Sequence, residues 1–207
     1  MYMQAALPVR PDSVPSNAAL RDADVQAKLQ AGLTSEAFSA LFDRYEAKVF
    51  RLCMSILRDS ALAQEIAQEV FLRVWRFLPR YDGRIGAFST WIYAIARNQC
   101  LSALGRQHAN EASLDESEVW QQAAQMPVPA AANDAASLTW LRSLVDALPA
   151  TYRTTLMLYY FEECSVAEVA ILLGVPEGTV KTQLHRARSM LRQTLKQHGL
   201  ADFALWS

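Results

Sequence analysis

The chain is 207 residues long, which suits one domain of ordinary size or two small ones. Hydrophobic residues make up 52% and charged residues 20%, with 7 Gly and 8 Pro, a globular composition poor in helix breakers that disfavours a β-rich or disordered chain. A formal net charge of -1 argues against indiscriminate nucleic-acid binding by the whole molecule, so charge has to be judged segment by segment.

No apolar run approaches the roughly 20 residues that cross a bilayer. The N-terminus, with Pro8, Pro11, Asp12 and Pro15, lacks the basic segment and apolar core of a secretory leader, and the expected location is the cytoplasm. Residues 1–33 read as an N-terminal arm in which Ala18 to Gln30 make a short helix before Gly32. From Thr34 the residues Phe38, Leu41, Phe42, Tyr45, Val49, Leu52, Cys53 and Ile56 recur at three and four positions and predict a helix to about Arg58. A second helix from about Ser60 turns Leu62, Ile66, Val70, Val74, Phe77 and Leu78 inward and Glu65, Gln68, Glu69, Arg73 and Arg76 outward, and Pro79 ends it. Gly83 and Gly86 mark a loop. Helical spacing returns from Phe88 to about Leu104 through Ile92, Ile95 and Leu101, with Gly105 as its stop. These elements make a first domain over 34–106.

Residues 107–137 break the periodicity; they hold Glu111, Asp115, Glu116, Glu118 and Asp134 with no Lys or Arg, and read as a flexible acidic linker. The helical pattern resumes at Leu138 through Leu141, Leu144, Val145 and Leu148 to Pro149, then through Leu156, Leu158, Tyr159 and Phe161. Ser165 and Glu168 form a capping box that starts a helix at Val166. Gly174 stands where a helix end wants a left-handed residue, and Pro176 where a first helical residue tolerates a missing amide proton. Val180, Leu184, Ala187 and Leu191 give the next helix its inward face. The expectation is all-α: two small helical domains, the second (138–198) a helix-turn-helix, followed by a tail over 199–207.

A helix-turn-helix places its second helix in the major groove, with early outward residues at the base edges; here these are Glu177, Gly178, Lys181, Thr182 and His185. Between Ser165 and His198 the five basic residues Lys181, Arg186, Arg188, Arg192 and Lys196 face only Glu168 and Glu177, so positive charge collects where phosphates would lie. In the first domain Phe88, Trp91 and Tyr93 stand near Arg97, Asn98 and Gln99, a combination suited to unstacked bases, although composition alone favours an ordinary core. Glu65, Gln68, Glu69, Phe71, Leu72 and Trp75 put acid, amide and bulky apolar groups side by side, as a strip for a partner helix or as a solvated face. Cys53, Cys100 and Cys164 sit singly among apolar neighbours and read as buried reduced thiols; no metal site is expected. There is no Gly-rich phosphate loop, no nucleophile elbow and no carboxylate with a His companion, so neither catalysis nor a cofactor is expected. Two rivals are a self-sufficient dimeric helix-turn-helix regulator, which predicts palindromic footprints, and a redox or metal sensor built on the three cysteines.

Three stretches resemble the extracytoplasmic-function (ECF) group of bacterial sigma factors, in the sigma-70 family, over about Ser35 to Arg106 and Leu144 to Leu195. AQEIAQEVFLRVW (Ala63 to Trp75) is similar to the family's polymerase-binding helix, FSTWIYAIARNQ (Phe88 to Gln99) to its −10 segment, and LPATYRTTLMLYYFEECSVAEVAILLGVPEGTVKTQLHRARSMLR (Leu148 to Arg192) to its −35-reading domain. The resemblance implies polymerase contacts by Glu65, Gln68, Glu69, Phe71, Leu72 and Trp75. It implies handling of the −10 strand by Phe88, Ser89, Thr90, Trp91, Arg97, Asn98, Gln99 and Arg106. For the −35 duplex it implies Arg153, on a phosphate, with Ser165, Glu177, Gly178, Thr179, Lys181, Thr182, His185, Arg186 and Arg188. Implied partners are core RNA polymerase, promoter DNA and an anti-sigma factor, with the linker passing near the polymerase active site, where its acidic run would mimic nucleic acid. Gln183 departs from the pattern where Arg is common, and Ser102 and Gly105 depart where Asp and Arg are common.

Overall fold

The computed structural model describes residues 21–82, 87–107, 120, 121, 124, 125 and 134–198, and among them every regular element is helical. The loop expected at Gly83 and Gly86, most of the expected linker and the tail lie outside the described residues. The chain divides between Gln107 and His108 into two compact units.

In the first unit α1 (Ala23–Gln30), α2 (Thr34–Leu57) and α3 (Ser60–Phe77) are followed by a 3-10 turn (Leu78–Arg80) and α4 (Phe88–Gln107). The stripe of α2 buries Ala37, Leu41, Tyr45, Val49, Leu52 and Cys53, and α3 meets it with Ala63, Ile66, Val70 and Val74. Packing such stripes together removes apolar surface from water, the term that outweighs the chain entropy lost on ordering. α3 begins cleanly because the Asp59 carboxylate accepts from the Leu62 amide at 3.0 Å, a cap worth about 1 kcal/mol. Two details differ from the spacing argument: Phe77 and Leu101 are exposed. Gly105 is not a stop either, since α4 runs through it on an open face where a Cβ would meet nothing within 4 Å.

The unit also starts earlier than expected, because α1 packs on α2 rather than belonging to a loose arm. Val25 is its one fully buried apolar residue, and the rest of the attachment is polar. Asp22, itself buried, accepts from Tyr45 Oη at 2.6 Å and from Arg44 Nη1 at 2.6 Å, while Arg44 Nη2 lies 3.0 Å from both oxygens of Asp24. The Arg44 hydrogen bond holds the Asp24 carboxyl below the usual carboxylate range. Burial, reinforced by Asp22, pushes the Tyr45 phenol well above its ordinary value. Hydrophobic periodicity is blind to such an anchor.

The second unit contains α5 (Asp134–Ala147), α6 (Ala150–Leu156), a single π turn (Met157–Phe161), α7 (Val166–Leu173) and α8 (Glu177–Gln197). Its core joins Trp140, Leu144 and Leu148 to Leu156 and to Ala187, Leu191 and Leu195 of α8. Within it lies Arg153, 1% exposed, whose Nη1 donates to the carbonyls of Asp146 at 2.8 Å and Leu148 at 2.6 Å. These carbonyls belong to the end of α5 and the turn after it, where a helix leaves acceptors unpaired.

The three cysteines are free and buried, as their apolar settings implied. Cys53 and Cys100 adjoin across α2 and α4; the hydrogen bond between the thiols, together with burial, pushes Cys100 far above the ordinary thiol range and keeps it protonated.

Two outcomes follow for stability. Arg153→Met, which removes the donor to the Asp146 and Leu148 carbonyls, is expected to cost the second unit roughly 2–4 kcal/mol in urea unfolding, with Arg153→Lys recovering only part because it lacks the planar fork. Asp22→Ala is expected to cost the first unit about 2 kcal/mol by stranding the Tyr45 hydroxyl; an unchanged urea midpoint would return α1 to a loose arm.

Candidate nucleic-acid interface

The helix-turn-helix forms as its local signals require. Ser165 Oγ accepts from the Glu168 amide at 3.2 Å and the Ser165 amide donates to Glu168 Oε2 at 2.8 Å, completing the capping box. Gly174 closes α7 at φ 68°, a conformation that costs a Cβ-bearing residue roughly 1–2 kcal/mol. Pro176 stands one position earlier than expected, as the cap residue, so that Glu177 is the first helical residue of α8.

Val180, Leu184, Ala187 and Leu191 face the core, which leaves Glu177, Gly178, Lys181, Thr182, His185 and Arg186 exposed, with Thr179 and Arg188 half-buried. This is the set that base or phosphate contact needs. Two expected members drop out of direct contact. Arg153 is interior, with its guanidinium on carbonyls, and cannot hold a phosphate; the Ser165 hydroxyl is engaged by its own cap. In their place the structure sets Pro149, Thr151, Tyr152 and Gln183, which were not among the candidate contacts, beside four residues that were. A cleft of about 520 Å³ between α6 and α8 is lined by Pro149, Thr151, Tyr152, Gly178, Thr179, Thr182, Gln183 and Arg186. Arg186 Nη1 sits 3.5 Å from the Tyr152 hydroxyl, and Thr155 Oγ1 sits 2.8 Å from Gln183 Oε1. The only sequence signal for this cleft was helical phase, which puts Thr151 and Thr155 one turn apart on α6.

In the first unit, Glu65, Gln68, Leu72 and Trp75 line up at three- and four-residue steps along the outer face of α3, and Leu72 is 67% exposed and Trp75 45%. Phe71, expected beside them, is 5% exposed and packs edge-on against Phe42 at 4.9 Å between ring centres. Trp75 is steadied from behind by Phe38, 5.1 Å away and nearly perpendicular. Such a ridge of large apolar side chains in water marks a contact surface.

On α4 the expected DNA residues separate. Asn98 and Arg106 are exposed and Trp91 and Arg97 half-buried, burial lowering the Arg97 pKa by desolvation. Phe88, Ser89, Thr90 and Gln99 are buried in this chain, so their expected contact with the strand is not open here. Phe88 stacks at 3.9 Å on Tyr81, which also touches Trp91 at 5.2 Å, giving an aromatic cluster whose Tyr81 member the sequence reading missed. Gln99 Nε2 donates to Glu69 Oε2 at 2.9 Å, tying α4 to the half-buried acid at the edge of the α3 ridge.

Comparison with known proteins agrees with this division. Residues 41–109 match the family model Sigma-70 region 2, and residues 138–191 match Sigma-70, region 4. The chain is 32% identical over 170 residues to the ECF RNA polymerase sigma factor SigW of Bacillus subtilis, covering 78% of this chain and 90% of that one. It is 30% identical over 185 residues to the RNA polymerase sigma-H factor of Pseudomonas aeruginosa, covering 85% and 94%. Among solved structures, CnrH in complex with the cytosolic domain of CnrY is similar with a TM-score of 0.58 at 20% identity, over 85% of this chain and 97% of that one. The sigma factor RpoE in complex with the anti-sigma factor NepR from Bartonella quintana is similar with a TM-score of 0.57 at 18% identity, over 77% and 96%. At such identities the structural likeness is one of fold, and the sequence relatives establish the family. The chain therefore belongs to the ECF group of the sigma-70 family and is a promoter-recognising sigma factor.

Proposed function

We propose that the two units divide the work of initiation. The second anchors the −35 duplex through Lys181, Thr182, His185 and Arg186 of α8. The first docks on core RNA polymerase through the ridge of Glu65, Gln68, Leu72 and Trp75, and takes up the −10 strand around Trp91, Asn98 and Arg106. The segment between them, within 107–137, sets their separation. Polymerase supplies the catalysis and this chain none, in the cytoplasm where polymerase works. The observation that carries the reading is the exposure of the Lys181–Arg186 face on a helix whose opposite side is fixed in the core.

An anti-sigma factor fits the same surfaces. Leu72 and Trp75 form an apolar ridge that a partner would cover in the absence of polymerase, and RpoE of Bartonella quintana was solved with its anti-sigma factor bound. The aromatic cluster of Tyr81, Phe88 and Trp91 supports base capture, since stacking a base on a ring is worth about 1–3 kcal/mol, comparable with opening one step of duplex. Uptake of the strand would require α4 to loosen at Phe88, Ser89 and Thr90.

With a net charge of -1, the free chain is expected to bind promoter DNA weakly and the holoenzyme tightly, with strong salt dependence. Pull-down with core polymerase and run-off transcription test the assignment by separating the two faces. Lys181→Ala or Arg186→Ala should weaken holoenzyme binding to promoter by roughly ten-fold, at about 1–3 kcal/mol per lost contact, without weakening capture of polymerase. Leu72→Ala or Trp75→Ala should do the reverse. Palindromic footprints by the free chain would favour the dimeric regulator instead.

A further inference from the structure

The cleft between α6 and α8 holds hydroxyls from Thr151, Tyr152, Thr179 and Thr182, the Gln183 amide and the Arg186 guanidinium, and no carboxylate lines it. A concave surface furnished with donors and one cation suits an anion. The Thr182 hydroxyl is turned to the Gly178 carbonyl at 2.9 Å, so the donors that face outward are fewer than the composition suggests.

Gln183 is the unusual member, because its amide is not free to rotate. Its oxygen lies 2.8 Å from the hydroxyl of Thr155, which shares its proton with the Thr151 carbonyl at 2.7 Å. Thr155 is fully buried and lies near the end of α6. One end of the Gln183 amide is therefore pinned inward, and the NH₂ end is left for the cleft. A glutamine that reads adenine needs both ends, the oxygen for the exocyclic amine and the nitrogen for the ring acceptor. With its oxygen turned toward the buried Thr155, the glutamine presents its NH₂ end to the cleft.

We propose that Gln183, positioned by Thr155, is a charge-neutral donor to a backbone phosphate of the −35 duplex, fixing the register of α8 without reading sequence. The assignment rests on α8 being the −35-facing helix. It makes Thr155, a buried residue with no path to DNA, a positioning residue. It also separates affinity from ionic contact at this position, since an amide forms a hydrogen bond without displacing a counterion.

The test uses full-length chain in holoenzyme and a duplex selected by that holoenzyme from a randomised pool, with affinity measured across a salt series. Gln183→Ala should weaken binding roughly three- to ten-fold, evenly across −35 sequence variants and with an unchanged salt slope. Gln183→Arg should steepen the slope by about one counterion. Thr155→Val should reproduce the loss, Thr155→Ser should restore binding, and Thr155→Val should add nothing in the Gln183→Ala background. Thermal melting of the Thr155 variants, and the serine rescue, separate positioning from misfolding. Losses that add, a Gln183→Ala effect confined to particular base pairs, or no effect at all would each overturn the proposal. If instead Lys181→Ala and Arg186→Ala are both silent, it is the assignment of the DNA-facing helix that fails.

Discussion

The second unit is organised around a cation placed where water cannot reach it. Removing a guanidinium from solvent is expensive unless its donors are met, and Arg153 meets two of them with the carbonyls of Asp146 and Leu148. In return, the carbonyls at the end of α5 and in the turn after it gain a donor. The arrangement fixes the turn from α5 into α6, and with it the position of Thr151 and Tyr152 against α8. The placement of α8 stands on that joint: its inner face packs on the same core, and its outer face is left exposed.

Much of the architecture was legible in the sequence because its signals are local. Ser165 with Glu168, Gly174 and the spacing of Val180, Leu184, Ala187 and Leu191 each specify a backbone conformation or a face within a few residues, and all three appear in the structure. What escaped is what depends on distant partners. Arg153 reads as a surface cation until the carbonyls of Asp146 and Leu148 are brought around it. Phe71 shares the pattern of its exposed neighbours, but the rings of Phe38 and Phe42 lie on its side of α3. Asp22 looks like part of an arm until Tyr45 and Arg44, more than twenty residues on, fold back to it. Gln99 was legible as a polar residue of the right type, yet its donor is turned to Glu69.

That last contact places an expected polymerase residue and an expected DNA residue on the two ends of one hydrogen bond. The two faces of the first unit thus share a side chain pair, so a change in the environment of Glu69 is felt by α4 directly. By contrast, α8 keeps Lys181, Arg186, Arg192 and Lys196 exposed and needs no rearrangement to present them. In a chain of net charge -1, the local excess of positive charge on α8 is balanced elsewhere in the sequence.

The π turn between α6 and α7 sets a limit of a different kind. There the amide of Glu162 reaches the carbonyl of Met157, five residues back, so the coil is wider than an α-helix by a residue. Each α-helical residue advances the chain by about 100°. Deleting one residue from 157–161 would re-phase everything downstream by that angle, swinging the capped helix pair away from its seat on α6. The length of this stretch is thereby constrained more tightly than the kind of residue at its end, where Phe161 is half in water.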